Sequence, residues 1–174
     1  SGRTQTQSDE FLRSLAQQTQ FLSRRWRATT PGLPRFEALT GLVYAGLSLE
    51  GLSAHVGPAS AALARECARQ VDEQGGLPTR NPEELLEVFT LLTWAAETLT
   101  AAGQSPMPAH WSAIERISPT LRTLRHADGG LARFHGGGRG LDGRLDAALA
   151  ASQIKGRHAN GLSMGFARLS AGRS

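Results

Sequence analysis

The chain has 174 residues, with 19 Lys+Arg against 15 Asp+Glu for a net charge of +4, and 40% hydrophobic residues. These figures suit one globular domain, or one domain and the start of another. Lys155 is the only lysine, the arginines are scattered and aromatic residues make up 6%, which argues against a nucleic-acid partner, since that wants a basic stripe interleaved with stacking rings. The single cysteine, Cys67, rules out an internal disulfide and a cysteine-based zinc site.

Residues 1–7 are polar and read as a disordered N-terminus. Ser8-Asp9-Glu10 then looks like a helix start, a capping hydroxyl followed by acids at the positive end of the dipole. Leu12, Leu15, Thr19, Leu22 and Trp26 follow at spacings of three and four, which puts them on one packing face. After a proline-glycine loop at 29–34, a second helix is expected over 35–49. Its apolar residues cover more than one side, and the only tyrosine, Tyr44, reads as core within it.

Pro58 fits the first turn of a third helix that carries Cys67 as a small buried thiol and ends at Gly75-Gly76. Asn81-Pro82-Glu83-Glu84 is the best start signal in the chain: an Asn cap, a proline at the first helical position and a glutamate placed to bond back. The helix behind it, over 85–102, is apolar nearly all round and reads as buried. A fifth helical pattern follows Pro106 and Pro108, and Pro119 within it predicts a kink or two short helices.

Beyond His126 the period changes to two. Leu131, Arg133 and His135 alternate with Ala132 and Phe134, which predicts a strand with Arg133 and His135 on one side. Residues 136–143 read as loop, 144–151 as a short helix and 163–169 as another strand. Gln74-Gly75-Gly76-Leu77-Pro78 and Asp128-Gly129-Gly130-Leu131-Ala132 form an internal echo, paired glycines after a helix.

The chemistry-bearing residues are sparse. Gly136-Gly137-Gly138-Arg139-Gly140 lacks both the Walker lysine spacing and a dinucleotide fingerprint, and reads as a flexible turn. No histidine pair stands at the spacing of a zinc protease, so neither a metal nor a cofactor is expected. His126 and His135 flank one turn and strand and can face a common ligand. The alternative is that one histidine caps the preceding helix and the other simply faces solvent.

Four phrases carry a resemblance to a known family: residues 36–47, then Gln74-Gly75-Gly76-Leu77-Pro78-Thr79-Arg80-Asn81-Pro82, then 124–138, and 165–173. In these phrases and their order the chain resembles the heparinase II/III-like polysaccharide lyases. The resemblance implies a mainly α fold, part of an (α/α) toroid of helical hairpins leading into the start of a β-sandwich. It divides the chain into a toroid segment at 8–126 and a glycine-rich junction with the sandwich start at 127–174, the rest of the sandwich being missing or supplied by another chain.

It implies β-elimination on an acidic polysaccharide, with His126 and His135 as acid–base residues and Arg80, Asn81 and Arg133 on the substrate. The loop at 79–81 holds neither tyrosine nor histidine. That favours the other reading, a non-catalytic acidic-glycan-binding or cell-envelope module on the same fold. The chain begins Ser1-Gly2 rather than with Met, so its compartment stays open: periplasm or cell envelope if a leader was removed, cytoplasm otherwise. No apolar run reaches transmembrane length.

Overall fold

The computed structural model describes residues 2–156, 158–159 and 161–169. Those residues form six α-helices: α1 (Gly2–Arg25), α2 (Leu33–Ser48), α3 (Val56–Gln70), α4 (Pro82–Ala101), α5 (Pro108–Thr123) and α6 (Arg144–Ala151). The chain is mainly helical, as its periodicity predicts. None of the described helices is long and apolar enough to cross a membrane.

The first helix starts earlier than the sequence suggests. Nothing between Arg3 and Leu12 breaks a helix, so α1 runs through the stretch expected to fray. Residue 1 and the side chain of Ser8, the expected cap, lie outside the described residues, as do residues 170–174. The second half of α1 packs: Thr19 is buried and Leu22, like Trp26 just beyond the helix, meets the cluster around Leu42 and Val43, whereas Phe11 and Leu12 are exposed.

Helices α2 and α3 form one hairpin and α4 and α5 a second. Across the pair, α2 lies on α4 and α3 on α5, with α6 against α4. Phe36, Leu39, Leu63, Leu85, Phe89, Leu92, Ile114, Ile117 and Leu121 are fully buried between them, each worth roughly 1.5–3 kcal/mol by its removal from water. Buried His110 donates its Nε2–H to the Leu92 carbonyl at 2.9 Å, and burial lowers its pKa. Tyr44 is half-buried and faces Thr98, burial raising its phenol pKa.

Cys67 is fully buried, and burial is the largest reason that its thiol is pushed up to about 12. The thiolate is the reactive form, so the folded chain is expected to resist a disulfide reagent at pH 8 and to label fully in denaturing urea. Labelling of the native chain at the rate of a free thiol would contradict this burial.

Helix α5 continues through Pro119, which corrects the expectation of two short helices there. Ile114, Ile117 and Leu121 hold both halves in the core. Packing therefore outweighs the one intrahelical hydrogen bond that the proline removes.

The expected strands are also corrected. Among the described residues there is no β-strand, and the two alternating runs each contribute one isolated antiparallel bridge, Arg125 with Leu131 and Ser163 with Phe166. His135 and Met164 take φ of +48° and +52°, which turns each run out of the extended conformation before a neighbouring strand can pair with it.

The internal echo proves to be a shared turn. Asp72 N–H donates to Gly76 O and Gly75 N–H to Asp72 O; at the same offsets His126 N–H donates to Gly130 O and Gly129 N–H to His126 O. In both turns an aspartate, Asp72 or Asp128, accepts the N–H of the last glycine. Each turn carries the chain from the second helix of a hairpin towards the next helix, and Leu77 and Leu131 are buried just after it.

Candidate functional site at a junction of three loops

The turn after α3 delivers Arg80 and Asn81 to one end of the molecule. Asn81 is committed to the helix: its Oδ1 accepts the N–H of Glu83 at 2.9 Å and of Glu84 at 3.3 Å, satisfying two of the donors that open α4. Asn81→Ala is expected to lower stability by about 1 kcal/mol, read as a lower urea midpoint, while Asn81→Asp keeps the cap. An unchanged midpoint in the alanine variant would show that the cap contributes nothing here.

Arg80 is exposed, with φ +54°. Its Nε–H donates to the Met164 carbonyl at 2.8 Å and its guanidinium lies over the Phe166 ring, 4.7 Å from the centroid. The turn that brings Phe166 there is closed by Ser163 N–H to Phe166 O and Phe166 N–H to Ser163 O, at 2.8 and 2.9 Å. Gly165 lets the arginine in: a Cβ there would sit 2.5 Å from Arg80 Nη2, and its φ is +79°.

The third loop follows α5. Leu131 and Ala132 are buried and anchor it, and Phe134 stacks on Phe166 with ring centroids 3.9 Å apart. Arg133 and His135 are left exposed on this loop, the His135 ring 6.1 Å from Phe166. The glycine stretch behind them is bound down, since Gly138 N–H donates to Glu83 Oε2 at 2.6 Å. A carboxylate thus occupies an amide that a phosphate cradle would need.

His126 lies at the other edge of this loop, exposed in a groove of about 500 Å³ lined also by Arg125, Phe134, Phe166 and Arg168. Neither histidine caps α5. Arg168 does so, donating from Nη1 to the carbonyls of Thr123 and Arg125 at 2.9 and 2.7 Å, a cation at the negative end of the helix. Asp128 is fully exposed. The Gly130 N–H bonded to it, then the charges of Arg139, His126 and Arg133, hold its carboxyl below the ordinary value.

Of the five residues singled out from sequence, Arg80 and His135 therefore meet around Phe166, with Arg133 two residues away. Asn81 is a cap and His126 opens onto the neighbouring groove. Sequence reasoning did not single out Phe166, which entered it only as a member of the alternating run 163–169 and of the phrase 165–173. Neither histidine ring has a hydrogen-bond partner among the described residues, so no such bond orients either as an acid–base group. Those residues also contain no cluster of three potential metal ligands.

No protein-family model matches the chain, and no solved structure matches it. A curated protein of Caulobacter vibrioides named FtsZ-localized protein C is 34% identical over 143 residues, which is 81% of this chain and 24% of that protein. The chain spans about a quarter of the length of the curated relative it matches.

These findings overturn the heparinase II/III-like assignment. Nothing in the comparisons points to that family, and the relative's name speaks of location with FtsZ, not of glycan cleavage. The polysaccharide lyase activity falls with the assignment, as do the acidic-polysaccharide partner and the non-catalytic glycan-binding alternative. Four short phrases in a plausible order were too weak a basis: each is made of the turn glycines, caps and helix residues that any array of helical hairpins needs. The comparisons leave this chain similar over most of its length to one part of an FtsZ-localised protein.

Proposed function

We propose that the chain is a recruitment module that associates with FtsZ. The observation that carries the reading is the 34% identity to FtsZ-localized protein C, extended over 81% of the chain. Two features of the site support binding over catalysis. The side chains of Arg80, Arg133 and His135 are exposed, and the rings of His126 and His135 lack orienting partners among the described residues.

The same reading takes the helices as part of an (α/α) hairpin array of toroid type. Adjacent first helices, adjacent second helices and the shared turn after α3 and α5 support it. The division near residue 126 belongs to this reading too, with the array before it and the glycine-rich junction after it.

A fluorescent fusion of the chain, imaged with labelled FtsZ in cells, tests the proposal together with capture of purified FtsZ by the immobilised chain. Coincident localisation and direct capture are the expected results. Diffuse fluorescence with no capture would end the reading.

A further inference from the structure

We infer that the Arg80–Phe166–His135 junction, with Arg133 beside it, is a docking site for an acidic protein segment whose carboxylates sit on the two arginines. As the contact surface used by the recruitment module, this inference rests on the FtsZ-associated reading.

Three observations carry it. Among the described residues Arg133 and His135 have no hydrogen bond or ion pair, and Arg80 engages only its Nε, leaving the terminal nitrogens of its planar fork for a ligand. That fork suits a carboxylate, which it binds through two parallel hydrogen bonds. Most other arginines of the junction are engaged: Arg125 with Asp146, Arg139 with Asp128 and Asp142, Arg144 with Glu87 and Arg168 with the end of α5. Among the described residues, Arg80 and Arg133 are left at the junction with guanidinium nitrogens that carry no ion pair.

The junction is also held in place. Arg80 is fixed over a ring that is itself stacked on Phe134, so its side chain loses little freedom on binding. Moreover, of the four non-glycine residues with positive φ among the described residues, Arg80, His135 and Met164 lie at this junction. This sparsely populated backbone conformation sets both exposed groups at the Phe166 ring. The half-buried Phe134 and Phe166 offer an apolar floor between the charges. A short acidic segment carrying an apolar residue fits this better than a phosphate backbone, which calls for a longer basic track.

The test is a ¹⁵N NMR titration of the 174-residue chain with a blocked peptide of glutamates flanking one phenylalanine. Shifts confined to Arg80 Nε–H and the amides of 133–135 and 164–166 are expected. Arg133→Glu should weaken binding about tenfold and Arg80→Lys, which keeps the charge and loses the fork, several-fold. Arg13→Glu on α1 should leave it unchanged.

Arg133 and His135 are exposed and have no hydrogen bond or ion pair among the described residues, so Arg133→Glu and His135→Ala are expected to stay folded and informative even if Arg80 variants do not. Shifts elsewhere, equal loss with Arg13→Glu, or equal displacement by an oligonucleotide of matched charge would overturn the site. FtsZ capture is scored separately. Peptide binding at the junction without FtsZ capture ends the recruitment reading and keeps the site; FtsZ capture that Arg133→Glu leaves intact ends the site and keeps the reading.

Discussion

Gly75→Ala is expected to destabilise the chain by about 3–5 kcal/mol, a large share of the 5–15 kcal/mol that holds a domain of this size together. Gly75 sits in the turn after α3 with φ +73°, and a Cβ there would fall on the carbonyl of Arg116 and 2.8 Å from the amide of Ile117. The obstacle is the backbone of α5, which cannot turn aside as a side chain can. The same turn is tied to α5 by Thr120 Oγ1 donating to the Gln74 carbonyl and Arg116 Nε to the Asp72 carbonyl, so relief by moving the turn breaks those bonds.

Gly51→Ala provides the comparison. Gly51 has φ +78° but nothing within 4 Å of the added carbon, so only the backbone cost of about 1–2 kcal/mol remains. Urea unfolding of both variants measures the difference. Equal losses would mean that the approach of the turn to α5 contributes nothing.

The second large effect is expected at Glu66. This carboxylate on α3 is 2% exposed; its Oε1 accepts the N–H of Gly32 at 3.1 Å, and its Oε2 faces Arg35 Nη1 at 3.6 Å. It fastens the loop before α2 to α3. Glu66→Ala strands a largely buried guanidinium and is expected to cost about 3 kcal/mol, within the range for breaking a buried pair.

Removing Arg35 as well should recover part of that loss, because the unpaired charge leaves with it. Glu66→Gln, which still accepts from Gly32, should cost about 1–2 kcal/mol. Because the pair is shielded from solvent, 1 M salt should change the Glu66→Ala effect little. A loss below 1 kcal/mol in low salt would show that Arg35 finds adequate partners in the Thr29 and Arg27 carbonyls alone.

The helices were legible in the sequence because their signals are local. Asn81-Pro82-Glu83-Glu84 opens α4 as those residues predict, and the apolar spacings of 36–43 and 114–121 match the buried faces of α2 and α5, whereas Trp111 is exposed. The paired glycines after α3 and α5 likewise announced two turns of one kind.

Where local rules met long-range packing, the packing decided. Pro119 forms no break because the core grips α5 on either side of it. The alternating runs at 131–135 and 163–169 form no strands, because alternation specifies two faces but supplies no neighbour to pair with.

The candidate site was legible only in part. Arg80, Arg133 and His135 were chosen for their chemistry, and Asn81 had a local role as a cap that its neighbours already declared. What joins Arg80 to Phe166, whose turn carbonyl at Met164 it reaches across 84 residues of sequence, or Glu66 to the Gly32 amide across 34, leaves no periodic trace. The sequence by itself determined where α4 starts, which residues of α2 and α4 face the core and where the chain turns after α3 and α5, because these depend on residues within a few positions of one another. Only the tertiary structure decided which turn rests on α5, which carboxylate answers Arg35 and which arginine stays free, because those depend on the distances between segments that the packed helices impose.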